Sequence, residues 1–190
     1  MTLAETRALA DRQVVVPDPG STLVSSSIRF GSGVVLWPNT TLQCLDGGAI
    51  AIGPGTIIFP GTRVVASGGV VTVGSGAELG EEGGFTIKAD APSTIRIGDG
   101  ARLLGGGSLT LSNTVGTGAQ VLGPIRCRNC RLGDGDSYRE PDPDLRGGVL
   151  KGSGVAHDLH VPQGHVIQSF GLFAEAPLRR QSYFHPKRQT

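Results

Sequence analysis

The sequence predicts an all-β chain wound as a parallel β-helix, and three observations point there. Apolar residues recur every sixth position over long stretches. Small residues recur two positions before the next large one. Glycine is abundant at 31 residues while aromatics make up only 5%, which disfavours a core of large side chains. Six is a multiple of the strand period of two and fits the helical 3.6 poorly.

Counting sixes from Val73 gives Val73, Leu79, Phe85, Ala91, Ile97, Leu103, Leu109, Val115, Val121 and Cys127, all apolar. Upstream the period recurs in other phases, as Phe30, Leu36, Leu42 and then Ile52, Ile58, Val64, Val70. It slips by four residues between Leu42 and Ile52 and by three between Val70 and Val73, as short corner insertions would produce. The position four after the marker is small at Ala77, Gly83, Ala89, Ala101, Gly107 and Ala119, and is Thr at 40, 56 and 62; Ile95, Asn113 and Ile125 break the rule. Stacked flat faces with crowded interior corners require this alternation. A second pattern, the openings IRFGSG, IAIGPG, VTVGSG and IRIGDG at Ile28, Ile50, Val71 and Ile95, is spaced by 22, 21 and 24 residues. It keeps a right-handed β-helix with irregular coils as the alternative.

The 190 residues fit one domain. The sequence divides into a lead-in at 1–27, the β-helix at 28–132, an excursion loop at 133–148, a terminal coil at 149–169 and an aromatic cap or arm at 170–190. The lead-in MTLAETRALADRQ reads as a short amphipathic helix without the apolar region of a signal peptide, so the cytoplasm is the expected location. A formal charge of +1 creates no global field for nucleic acid or a membrane surface, and no apolar run reaches spanning length. Three cysteines do not make a disulfide scaffold.

The stretches IGPGTIIFPGTRV from Ile52 and VGSGAELG from Val73 resemble the hexapeptide-repeat family of left-handed β-helix proteins. VVLWPNTTLQ at 34–43, with the helical lead-in before it, is similar to the opening coils of the acetyltransferase half of bacterial bifunctional N-acetylglucosamine-1-phosphate uridyltransferase / glucosamine-1-phosphate acetyltransferase enzymes. The resemblance implies the left-handed form, a homotrimer, and clefts between subunits where CoA or an acyl-CoA and a sugar or nucleotide-sugar meet. The catalytic arginine, lysine and histidine-tyrosine motifs of those enzymes have no counterpart here. The repeat therefore specifies architecture more strongly than reaction.

Residues that carry chemistry gather where the sixes fail. His157, His160 and His165 lie in GVAHDLHVPQGHVI. A histidine titrating near neutrality can deprotonate an acyl acceptor, and Asp158 could orient it. The alternative is a set of surface turn histidines. His160 and His165 also make H-x4-H, a spacing that γ-class carbonic anhydrases of this fold use for zinc, with His157 or His185 as a third ligand. Cys127 and Cys130 with His157 and His160 form a possible Cys2His2 set, but the repeat places Cys127 inside as a buried thiol, and Cys44 reads the same way.

Arg126, Arg128 and Arg131 alternate with the cysteines in IRCRNCRLG. Together with Lys187 they are candidates for holding the phosphates of CoA or a nucleotide, the alternative being a solvated strand face. Asp134, Asp136, Asp142 and Asp144 in the excursion lack the spacing of a calcium loop. Phe170, Phe173, Tyr183 and Phe184 are expected to cap the last coil or pack on another subunit. Two functions follow: a hexapeptide acyltransferase moving an acyl group from CoA or a carrier protein to a sugar or nucleotide-sugar amine or hydroxyl, or a non-catalytic β-helix that assembles or regulates partners; a γ-carbonic-anhydrase-like zinc protein is the lesser alternative.

Overall fold

The computed structural model describes residues 1–185. It is a parallel β-helix, consistent with the left-handed hexapeptide form, in which three flat faces stack coil upon coil in parallel register. The first face begins at Leu23–Val24 and runs through Thr41–Leu45, Arg63–Ser67, Thr86–Asp90, Ser108–Thr110 and Ile125–Arg128. The second runs from Arg29–Phe30 through Thr94–Ile97 to Arg131–Leu132 and His160–Val161. The third runs from Val35–Leu36 through Arg102–Leu104 and Gln120–Leu122 to His165–Leu172. The strand Val149–His157 belongs to the third face at its start and the first at its end, and bends between them at Gly152 and Gly154 (φ 122° and 133°).

The period of six is the step from one face to the next. Inward residues advance by six from second to third face at Phe30 to Leu36, Ile52 to Ile58, Val73 to Leu79, Ile97 to Leu103 and Val115 to Val121. The step from first to second face is elastic: ten at Leu42 to Ile52 and nine at Val64 to Val73, falling to six at Leu109 to Val115. These two enlargements are the slips of four and three seen in the sequence. Ile28, Ile50, Val71 and Ile95 stack directly on the second face, so spacings of 22, 21 and 24 measure whole coils.

The unbroken run of ten markers needs correction. Between Leu79 and Ile97 the inward strand residue is Ile87, eight after Leu79 and ten before Ile97. The two extra steps sum to six, so the phase resumes as if nothing had intervened. Phe85 is buried at the corner before its strand, and Ala91 is exposed in a turn. Val70 likewise points outward.

The second-to-third-face corners at 31–33, 53–55, 74–76, 98–100 and 116–118 each carry a glycine pair, whereas the last, between Val161 and His165, has Pro162 and a single Gly164. In the coil at Gly98–Gly100, a Cβ on Gly98 would sit 2.4 Å from the Thr117 amide nitrogen above it, while Gly100 takes φ +60° with nothing within 4 Å. The first glycine answers to the next coil's backbone and the second to a left-handed turn. The crowded corners elsewhere hold Ala77, Ala101, Ala119, Thr40, Thr56 and Thr62, all fully buried or nearly so. Phe85 and Ile125 are large residues at the same position, and Gly107 leaves the space the Phe85 ring fills, because a Cβ there would lie 2.7 Å from the ring.

Both ends are covered. The helix Leu3–Arg7 opens with a capping box of Thr2 and Glu5, and the turn after it drops Leu9 and Val14 into the first coil's core. At the other end Phe173, six after Ile167, is wholly buried and closes the column. Of the other aromatics expected in the cap, Phe170 is 80% exposed, and Tyr183 and Phe184 are also exposed, so within one chain Phe173 alone among the four is a buried cap.

Candidate functional site

The candidate residues fall at two places, a cationic corner and a lateral cavity. The corner lies between the first and second faces near the C-terminal end. Cys127, Cys130 and Leu132 point inward, so Arg126, Arg128 and Arg131 are all exposed. On the next coil His157 is the register partner of Arg128, and His160 that of Arg131. Neighbouring parallel strands lie about 4.8 Å apart, so these outward side chains form two adjacent rungs.

Between the rungs Asp158 turns the chain at φ 54°, above Asn129 at φ 51°. This turn sets the Asp158 carboxylate 2.8 Å from His157 Nδ1. Nδ1–H donates to the carboxylate, which leaves Nε2 free to accept a proton. The pair is more than half exposed, so it is an oriented base on a surface rather than a buried dyad.

His165 is elsewhere. It opens the third-face strand, and its Nδ1 donates to the Gln163 carbonyl at 2.7 Å. The structure thus brings His157, Asp158, His160, Arg126, Arg128 and Arg131 to one corner and separates His165 from them. Lys187 lies outside the described residues. Among the described residues no three His, Cys, Asp or Glu side chains gather as a metal site. His160 and His165 begin strands on different faces, and Cys127 lies in the core while His157 faces solvent.

The cysteines are a buried pair. Cys130 Sγ approaches the carbonyls of Arg128 and Ala156 at 3.4 Å. A hydrogen bond from Cys127 holds the Cys130 thiol down to about 7 against the effect of burial. The same bond, together with burial, pushes Cys127 up. Cys44 is only partly buried, at the side of the core.

Sequence reasoning did not foresee the cavity. It has a volume of about 320 Å³ and lies against the outer surface of the third face, walled by the 133–148 excursion and the C-terminal arm. Arg102 fixes the excursion's approach: it pairs with Glu78 at 2.7 Å and Glu81 at 3.2 Å and lies 4.2 Å from the Tyr138 ring centroid. Arg146 closes the excursion on itself through the Glu140 carbonyl, at 2.8 and 2.6 Å. Asp144 accepts from the Ser182 amide and hydroxyl at 3.1 and 2.9 Å, clasping the loop to the arm. Burial would raise the Asp144 carboxyl, yet the Ser182 bonds and nearby Arg180 hold it below its ordinary value.

No family model matches the chain, and no curated protein sequence does. Among solved structures it is similar to a hexapeptide transferase family protein from Anaplasma phagocytophilum, at 16% identity over 90% of this chain and 85% of that one, with a TM-score of 0.50. A GDP-perosamine N-acetyltransferase from Caulobacter crescentus, in complex with CoA and GDP-perosamine, aligns at 18% identity over 93% of this chain and 62% of that one, with a TM-score of 0.45. The first likeness establishes the fold and leaves the reaction to the residues. Among the described residues, no helix is long and apolar enough to cross a membrane.

Proposed function

We propose that the protein is a hexapeptide-type acyltransferase that passes an acyl group from CoA to an amine or hydroxyl of a sugar or nucleotide-sugar. The observation that carries this reading is the His157–Asp158 pair at 2.8 Å in register with Arg128. His157 Nε2 takes the acceptor's proton as the amine or hydroxyl attacks the thioester carbonyl, and the departing CoA thiolate is then protonated. Arg126, Arg128 and Arg131 offer guanidinium forks to the phosphates of the donor. The resemblance of the opening coils to the acetyltransferase half of the bifunctional enzymes supports an amino-sugar acceptor and a homotrimer in which a neighbouring subunit completes the cleft.

A second reading, a non-catalytic β-helix that assembles, has its own observation. The third face turns Val15 and Trp37 outward at 52% and 40% exposure, beside half-buried Val35, Ile57 and Phe59, a surface suited to a second copy.

Acetyl-CoA consumption measured against a panel of amino sugars and nucleotide-amino sugars separates the two. Transfer is expected, with kcat reduced about a hundredfold or more by His157→Ala and little by His165→Ala. Equal activity in both variants removes His157 from the mechanism. Absence of transfer, together with no CoA-dependent rise in Tm, leaves the assembly reading.

A further inference from the structure

We infer that the lateral cavity is a binding site for a monosaccharide bearing a single anionic group, separate from the histidine corner and independent of whether that corner transfers acyl groups. Four features carry this. First, the cavity's charged lining is basic: Lys151 and Arg146, with no Asp or Glu among the described lining residues. Arg146 spends Nε and one Nη on the Glu140 carbonyl, which leaves Lys151 as the mobile cation; its ammonium makes no ion pair among the described residues.

Second, Gln120 is only 7% exposed and lines the cavity, yet its side-chain amide has no hydrogen-bond partner among the described residues. Its amide atoms open onto the cavity space, where they are available to a ligand. Third, two more amides join it. Gln168 lines the same wall, and Gln181 donates to the Gly147 carbonyl at 2.7 Å while its Oε1 remains an acceptor. Carboxamides both donate and accept, and vicinal hydroxyls match that pattern.

Fourth, the polar groups stand over an apolar floor of Leu122, Val149 and Val166, where the C–H face of a pyranose can lie. The volume suits one sugar ring with one substituent. The ordered loop and its Asp144–Ser182 clasp hold the walls in place without ligand.

Calorimetric titration of the full chain with glucose 1-phosphate, glucuronate and neutral glucose tests the site. The charged sugars are expected to bind and glucose to bind at least about tenfold more weakly, as loss of a charge-assisted hydrogen bond requires. Binding of glucose 1-phosphate alone assigns a phosphate ester, and of glucuronate alone a carboxylate; either supports the proposal. Lys151→Ala and Gln168→Leu, both at non-core positions, are each expected to weaken binding about tenfold, while Lys88→Ala on the first face leaves it unchanged. No binding by any probe at about 10 mM overturns the proposal. So does equal affinity for glucose, or indifference to both variants. Because the readout is binding and not transfer, failure of the acyltransferase reading leaves this result interpretable.

Discussion

Three threonines occupy equivalent crowded corners and do not do equivalent work. Thr56 Oγ1 donates to the Gly74 carbonyl at 2.8 Å and Thr62 Oγ1 to the Leu79 carbonyl at 3.1 Å. Thr40 Oγ1 is buried without a partner among the described residues. Steric fit therefore selects a branched, medium-sized side chain at all three, and hydrogen bonding adds to it at two. Thr56→Val is expected to cost about 1 kcal/mol, because the Gly74 carbonyl loses a donor. Thr40→Val is expected to be neutral or stabilising, because it removes an orphaned hydroxyl. Urea unfolding of the two variants checks the difference, and equal losses would show that shape alone governs both sites. The same residue-scale reading separates the cysteines: thiol reagents detected by mass spectrometry should label Cys44 before Cys127 and Cys130, which the core encloses.

At the scale of the coil, the glycine-pair corner makes a sharper demand than any strand. Gly98→Ala drives a Cβ into the Thr117 backbone and is expected to cost about 3 kcal/mol. Gly100→Ala has room but keeps a left-handed φ, and is expected to cost about 1 kcal/mol. Thermal melts of the two rank them, and a reversed order would contradict the packing described here. These corners were legible in the sequence, since GSG, GPG and GDG repeat at coil spacing, and so was the step of six. What misled was arithmetic. Two insertions that together make six hid an irregular coil, and gave Ala91 and Phe85 the look of strand markers. The outward arginines were legible too, because alternation on a strand fixes their side. The cavity was not: Gln120, Tyr138, Lys151 and Gln181 meet only because coils stack and two distant segments fold back on one face.

At the scale of the molecule, neighbouring coils touch and distant ones do not, so the ends and the long-range clasp decide how the stack is finished. Asp144 joins the excursion to the arm across 38 residues. Its carboxyl titrates below the ordinary value, so the clasp contributes fully above that value and is lost as the pH falls through the lowered one. Limited proteolysis at neutral pH should therefore cut the excursion of Asp144→Asn faster than that of the parent chain. The gap between them should close in acid, where the parent too is protonated. A variant as resistant as the parent at neutral pH would mean that the loop is held by its other ties, Arg102, Arg146 and the bonds from Gln163 and Gln181 to the Leu145 and Gly147 carbonyls.

The elastic corner between the first and second faces has a use of its own. Coils there take ten, nine or six residues between inward positions without disturbing the strands on either side. Length at that edge is decoupled from register, so it works as a splice point. A peptide epitope or a small domain grafted between Leu45 and Ala49 would project from the column as a side arm, while the same insertion within a face would break that strand's pairing with the coils on either side.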